Sequence, residues 1–346
     1  MTGSKRPHAQ PIGLFGAHFR GRVLILTLSV MLAAPAAARA PVVAVTTKPV
    51  HALVTQIMAG VAVPVLIVEG AASPHTFTLK PSSARAVNEA DIFVRVSPDI
   101  EPFTRKLVEV LPASVTVVTL ADAQLGIKLL DRRLTGTFDA HAHGESQGDH
   151  DGHEDHGSEL AHDAHGGSRA PEGTKDGHIW LDPENAKAIV QAVTGALVVK
   201  SPEHAGAFKD NAARLVARID QMSADIALEL ADAKGKPFIV FHDAYQYFES
   251  RFGLSAAGSI TVSPDQQPSA RRLTDVRRKI ASLGAVCVFS EPGFQPKLVL
   301  AVTEGTAART ATLDPEGLTL TAGADLYDTL MRELAHNIKA CLLPAP

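Results

Sequence analysis

Cysteine and the larger aromatic residues are scarce in this chain. Its 346 residues include two cysteines, one tryptophan and three tyrosines. The two cysteines are far apart in the sequence, so the C-x-x-C spacing of many metal and redox motifs is absent. The H-E-x-x-H motif, the P-loop and a G-x-G-x-x-G after a strand are absent as well. Histidines and carboxylates are left as the residues on which a functional site could be built.

Positive charge is not in excess, since 33 Lys and Arg residues face 37 Asp and Glu residues. The imbalance is local: residues 1–40 contain five bases and no acid, whereas residues 139–165 contain eight acids and no Lys or Arg. The rest of the chain is nearly neutral. No basic face remains for nucleic acid, so that class of partner is excluded.

Long apolar runs are restricted to the amino terminus. Basic residues precede the run "VLILTLSVML" at residues 23–32, which is too short to span a bilayer comfortably. The small residues of "AAARA" follow and suit cleavage after Ala40. Residues 1–40 are therefore predicted to be an export signal, with an uncleaved anchor or a buried helix as the alternative. We expect the mature protein to lie outside the cytoplasm.

Short apolar runs typical of buried strands alternate with helical patterns in two parts of the chain, within residues 42–120 and 237–313. Such alternation indicates parallel sheets. The pattern at residues 201–233 predicts one linking helix of more than thirty residues. We predict an α/β fold with two lobes, residues 41–200 and 236–346, joined by this helix. One large doubly wound sheet is the alternative.

A polar segment at residues 134–175 interrupts the first lobe and is predicted to be a disordered loop, because it has almost no large apolar residues. Mixed histidines and acids can bind Zn²⁺ weakly at several points, but a mobile segment cannot impose one geometry. We interpret it as an accessory metal loop that collects, binds or senses zinc, or alternatively as a solvated low-complexity loop. Its seven histidines are His141, His143, His150, His153, His156, His162 and His165.

Three histidines outside this loop lie at the ends of predicted elements. His75 follows the strand "VPVLIV", His242 ends the strand "PFIVFH", and His178 immediately precedes a helix. Ligands of open parallel sheets bind beyond the carboxyl ends of the strands, so a cleft between the lobes could bring these imidazoles together. Neutral imidazoles suit zinc, which takes four ligands in a tetrahedron, and Asp325 is the candidate for the fourth. Each histidine alone could equally be a loop residue or a buried structural group.

The two cysteines lie in structured parts of the chain. Cys287 is inside the strand pattern "AVCVFS", and Cys341 is near the end of the last predicted helix. In an oxidising compartment they could form a disulfide that ties this helix to the sheet. Two free thiols in the core are the alternative.

Five segments resemble the zinc-binding ZnuA-type periplasmic proteins of ABC importers, the cluster A-I metal-binding family. The resemblance covers nearly the whole chain after the export signal, and it includes a His-rich insertion. It implies two Rossmann-like lobes joined by a rigid long helix, with the metal in the cleft between them. The segments are "KPVHALVTQIMAGV", "VEGAASPHTFTLKPSSARAVNEADIFVRVSP", "HIWLDPENA", "FHDAYQYFESRFGL" and "VCVFSEPGFQPKLV".

The resemblance implies that the metal ligands are His75, His178 and His242. Manganese-binding relatives have a carboxylate where this chain has His242, and a third imidazole is the more zinc-like choice. Asp325 matches an aspartate that is a ligand in manganese-type members, whereas water can take that place in zinc-type members. Some zinc-type members have an acid where this chain has Pro74.

The resemblance also supports the Cys287–Cys341 disulfide. It implies a periplasmic protein that captures Zn²⁺ and delivers it to the membrane permease of an ABC importer, without an enzymatic step. We expect it to be a monomer. A manganese or iron carrier of the same family is the nearest alternative.

Two further hypotheses come from other classes of protein. A zinc-dependent hydrolase would also present three ligands and an open position, and it would need a general base such as Glu291 or Asp243. A zinc buffer would use the His-rich loop as its main site. Turnover of ester or peptide substrates by the zinc form would indicate the hydrolase.

Deletion of residues 139–165 distinguishes a carrier from a buffer. We expect the deletion variant to retain one tightly bound zinc ion per chain, measured by titration against a chromophoric chelator. Retention of almost no zinc would identify the loop as the main site.

Overall fold

The computed structural model of the protein describes residues 39–133, 174–264 and 267–343, together with Met1 and Gly13. Almost all of the predicted export signal and all seven histidines of the His-rich loop lie outside these residues. Within the described part of the chain, no helix has the length and hydropathy that crossing a membrane requires.

The first lobe is built on a parallel sheet with the strand order β2-β1-β3-β4. Strand β1 is buried at every position, as expected for a parallel strand covered on both faces. The strands are β1 (Val43–Val45), β2 (Val65–Leu66), β3 (Ile92–Arg95) and β4 (Thr116–Thr119). The helices of this part of the chain are α1 (Lys48–Ile57), α2 (Pro81–Asn88), α3 (Thr104–Glu109) and α4 (Pro183–Lys200).

The second lobe repeats this plan with a parallel sheet in the order β6-β5-β7-β8. The strands are β5 (Phe238–His242), β6 (Ala256–Thr261), β7 (Cys287–Ser290) and β8 (Arg309–Thr312). The helices are α6 (Gln246–Phe252), α7 (Ala270–Leu283), α8 (Pro296–Thr303) and α9 (Leu326–Leu342).

The two sheets confirm the prediction of an α/β fold with two lobes, and the alternative of one large sheet is wrong. The strands predicted within residues 42–120 and 237–313 are present in the described chain, four in each lobe. The lobe boundaries at residues 200 and 236 stay a prediction.

The long helix α5 (Ala205–Glu229) has 25 residues, so the prediction of more than thirty was wrong. Separate 3₁₀ turns flank it at Pro202–His204 and Ala231–Ala233. Pro202 disfavours helical backbone at the residue before it, which explains why α4 and α5 are separate helices. Helix α5 packs against α1 and α4 of the first lobe and against α9 of the second, so it still links the two lobes.

Cys287 and Cys341 form a disulfide, as the first of the two alternatives predicted. Cys287 begins β7 and Cys341 lies in the last turn of α9. The bond therefore fixes the carboxyl-terminal helix to an inner strand of the second sheet. The described part of the chain contains no free cysteine.

The disulfide should make a measurable contribution to stability, because it closes a loop of 54 residues in the unfolded chain. We expect a Cys287→Ala/Cys341→Ala variant to lose about 2–4 kcal/mol of unfolding free energy. Thermal and denaturant unfolding would measure the loss. Reduction should destabilise the wild type and leave the double variant unaffected; an unchanged wild type would contradict the prediction.

Candidate metal centre

The structure brings His75, His178 and His242 together in a buried cluster. His75 lies in the loop after β2, His178 directly precedes the 3₁₀ turn Ile179–Leu181, and His242 is the last residue of β5. Their side chains are only 4%, 3% and 1% exposed. Three residues that are 103 and 64 positions apart in the chain thus meet beyond the ends of strands from both sheets.

The distances within the cluster match those between the ligands of one metal ion. The Nε2 atom of His178 lies 3.3 Å from Nε2 of His75 and 3.3 Å from Nε2 of His242. The potential ligand atoms of all three residues lie within 4.8 Å of one another. A tetrahedral ion with metal–nitrogen bonds of about 2.0–2.1 Å requires nitrogen–nitrogen separations of roughly 3.3–3.4 Å. Two of the three nitrogen–nitrogen separations in the cluster therefore match those of a tetrahedral zinc site.

Two carboxylates fix the tautomers of two of these histidines. Nδ1 of His178 is 2.6 Å from a carboxylate oxygen of Asp176, and Nδ1 of His242 is 2.5 Å from one of Glu291. An Nδ1–H group that donates to a carboxylate leaves Nε2 with a free lone pair. Metal-binding histidines are typically held in this way, which also increases their basicity as ligands.

Both carboxylates are themselves held in place. Asp176 accepts a hydrogen bond from the side-chain amide of Gln246 at 2.6 Å, and Glu291 accepts one from the hydroxyl of Tyr245 at 2.9 Å. By sequence, Glu291 at a strand end is a candidate for a group behind the ligands, a cap or a general base, whereas Asp176 was not identified. The position of Asp176, two residues before His178, was the available signal.

A third carboxylate, Glu316, lies beside His75 at the edge of the cluster and was not identified from the sequence. One of its oxygens lies 3.3 Å from Nε2 of His75 and accepts a hydrogen bond from the hydroxyl of Ser73 at 3.1 Å. Its other oxygen is buried and has no hydrogen-bond partner among the described residues. Glu316 follows the carboxyl end of β8, so the strand-end argument used for the histidines indicates its region but not the direction of its side chain.

The structure does not bring Asp325, the expected fourth ligand, to this cluster. Asp325 lies at the start of α9, where it lines a separate cavity of about 350 Å³ with Gln56 and Arg218. The backbone carbonyl of the preceding Ala324 accepts a hydrogen bond from Gln56 of α1. Asp325 is therefore not grouped with the three histidines in the described structure, which corrects its expected place as the fourth ligand.

Burial and mutual repulsion make the cluster suited to a cation. Burial, followed by the neighbouring imidazoles, holds the pKa of His75 well below its ordinary value. Burial also lowers the pKa of His178 despite Asp176, whereas Glu291 offsets burial and raises the pKa of His242. Burial raises the pKa of Glu316 to about 8. A bound cation would favour the unprotonated form of all four groups.

Comparisons with a family model and with individual relatives point to the same family. The model of the family described as "ZnuA: Zinc-uptake complex component A periplasmic" matches residues 43–341. The protein named "High-affinity zinc uptake system protein ZnuA" from Brucella abortus (strain 2308) is 46% identical over 307 residues, which cover 87% of this chain and 91% of that protein. The protein of the same name from Paracoccus denitrificans is 36% identical over 321 residues, or 92% of this chain and 97% of that protein.

A solved structure shares the fold. The Zn(II)-bound AdcAII variant of Streptococcus pneumoniae superimposes with a TM-score of 0.65 at 21% identity, covering 87% of this chain and 99% of that chain. The family model spans both lobes and the segments that carry all three histidines. The chain belongs to the ZnuA family of periplasmic zinc-uptake components.

Proposed function

We propose that this protein captures Zn²⁺ in the periplasm with high affinity and delivers it to the membrane permease of an ABC importer. His75, His178, His242 and Glu316 hold the ion between the two lobes. The names of the relatives, which are high-affinity zinc uptake proteins, support this function.

The single observation that carries the proposal is the spacing of the donor atoms. Two Nε2–Nε2 distances and one Nε2–carboxylate distance are each 3.3 Å. Zinc at the centre of such a group would satisfy three lone pairs that otherwise face one another in a buried space. The buried oxygen of Glu316 without a partner provides negative charge at the same point.

The donor set favours zinc over manganese or iron. Three imidazole nitrogens and one carboxylate suit Zn²⁺, whereas Mn²⁺ prefers sites with more oxygen donors. Asp176 and Glu291 supply additional negative charge behind the imidazoles without contacting the ion. A manganese or iron carrier is therefore the weaker alternative.

The residues that a zinc hydrolase would need as a general base are already engaged. Glu291 accepts hydrogen bonds from His242 and Tyr245. Asp243 is buried and forms an ion pair with Arg133, with 3.3 Å between Oδ1 and Nη1. This arrangement favours a binding protein over an enzyme.

The remaining parts of the proposal come from the sequence. The export signal is cleaved after about Ala40, and the mature protein acts as a monomer with lobes at residues 41–200 and 236–346. The His-rich loop is an accessory that binds zinc more weakly than the cluster.

Removal of one imidazole should abolish tight binding. We expect His242→Ala to lower the affinity for Zn²⁺ by at least about 100-fold, since even residues behind the ligands contribute 10–100-fold in metal sites. Competition with a chromophoric chelator would measure the affinity in the full chain. His336→Ala is the matched control because this histidine is 74% exposed on α9, and its affinity should equal that of the wild type. Equal affinities for both variants would exclude the cluster as the main site.

The two candidate carboxylates can be compared directly. We expect Glu316→Gln to weaken zinc binding by about 10–100-fold, because it removes a charge adjacent to the ion. Asp325→Asn should bind as the wild type does, since this residue lies elsewhere. The same chelator competition applies, and the reverse order of affinities would restore the assignment of Asp325.

A further inference from the structure

Contacts within residues 314–319 set the shape of the turn that carries Glu316. The carboxylate of Asp314 accepts hydrogen bonds from the backbone N–H groups of Leu318 and Thr319, both at 2.9 Å. Gly317 has a φ of +67°, a left-handed conformation that glycine adopts without strain. These contacts shape residues 314–319 but do not attach them to the first lobe.

A lysine from the first lobe attaches the turn through its backbone, in addition to the hydrogen bonds from Ser73 to Glu316 and from Trp180 to Pro315. The ammonium group of Lys48 donates hydrogen bonds to the backbone carbonyls of Gly317 at 3.0 Å, Leu318 at 3.0 Å and Leu320 at 2.9 Å. An ammonium group has three N–H donors, so all of them are used. Lys48 is only 7% exposed, and burial lowers its pKa against the opposing charge of Asp314. Burial of this charge is costly unless it is fully hydrogen-bonded, as it is here.

The position of Lys48 relates the attachment to the metal site. Lys48 begins α1, which follows β1, and β1 pairs directly with the strand β2 that leads to His75. The carbonyl of Gly317 belongs to the residue after Glu316. Lys48 thus links the part of the first sheet that leads to His75 with the turn that bears Glu316. Nε2 of His75 and a carboxylate oxygen of Glu316 lie 3.3 Å apart.

We propose that Lys48 is the positioning residue for the fourth ligand, because its three hydrogen bonds hold the carboxylate of Glu316 against His75. This inference rests on the proposed function. Lys48 does not contact the ion, and it acts through Glu316 alone. If Lys48 only tied the lobes together, its substitution would lower stability, and its effect on zinc affinity would not depend on Glu316.

A double-mutant cycle separates these two roles. The variants are Lys48→Met, Glu316→Gln and the two combined, each in the full chain, with zinc affinity measured by chelator competition. We expect Lys48→Met to weaken binding by about 10–100-fold, the range for groups that orient metal ligands. The double variant should bind within about threefold of Glu316→Gln, because residues that act through one another are not additive.

Cobalt provides a readout of the ligand set. The visible absorption of bound Co²⁺ responds to ligand identity and coordination geometry. Lys48→Met and Glu316→Gln should change the wild-type spectrum in the same way. If Lys48→Met does not fold, the cycle is run with Lys48→Gln, which retains two of the N–H donors.

Gln56→Met is the matched control. Gln56 also lies on α1 and also donates across to the second lobe, to the carbonyl of Ala324 at 2.7 Å, but it does not touch the turn of Glu316. Its zinc affinity and Co²⁺ spectrum should match those of the wild type. Additive effects of the Lys48 and Glu316 substitutions, or an equal loss in Gln56→Met, would overturn the proposal. Absence of tight zinc binding in the wild type would instead overturn the proposed function.

Discussion

The structure depends on one electrostatic constraint, the convergence of three imidazole lone pairs in a space from which water is largely excluded. Nε2 of His178 lies 3.3 Å from both other Nε2 atoms, and carboxylates occupy the Nδ1 sides of His178 and His242. Lone pairs at this distance repel one another unless a cation or a shared proton lies between them. Much of the surrounding polar structure keeps the imidazoles in this arrangement.

The supporting contacts come mainly from the second lobe. The amide of Gln246 in α6 orients Asp176, and the indole N–H of Trp180 donates to the carbonyl of Pro315 at 2.9 Å. The segment of His178, which precedes α4 in the chain, is thereby attached to the second sheet together with His242. His75 and His178 both belong to residues 41–200, and contacts from the second lobe hold the segment of His178.

The sequence could predict the strands and the three histidines because both depend on local patterns. Buried parallel strands are continuous apolar runs, and their carboxyl ends mark the cleft. Glu316 was missed because strand ends identify a region and not the direction of a side chain. That direction depends on Asp314 and Lys48, and the Lys48 contact spans 269 residues of sequence. The length of α5 was overestimated because helical composition extends over Pro202–His204 and Ala231–Ala233, where the backbone forms 3₁₀ turns instead.

The distribution of ligands has a consequence for a carrier that must both hold and release its ion. His242 and Glu316 belong to the second lobe, whereas His75 and His178 belong to residues 41–200. Separation of the lobes would therefore divide the donors and leave an incomplete set on each side of the cleft. Loss of one ligand costs a zinc site much of its affinity without requiring any residue to be protonated. The contact of Lys48 with residues 317–320 lies across the same junction, so separation would also free the turn of Glu316. Movement between the lobes thus acts on the ligands from both sides of the cleft.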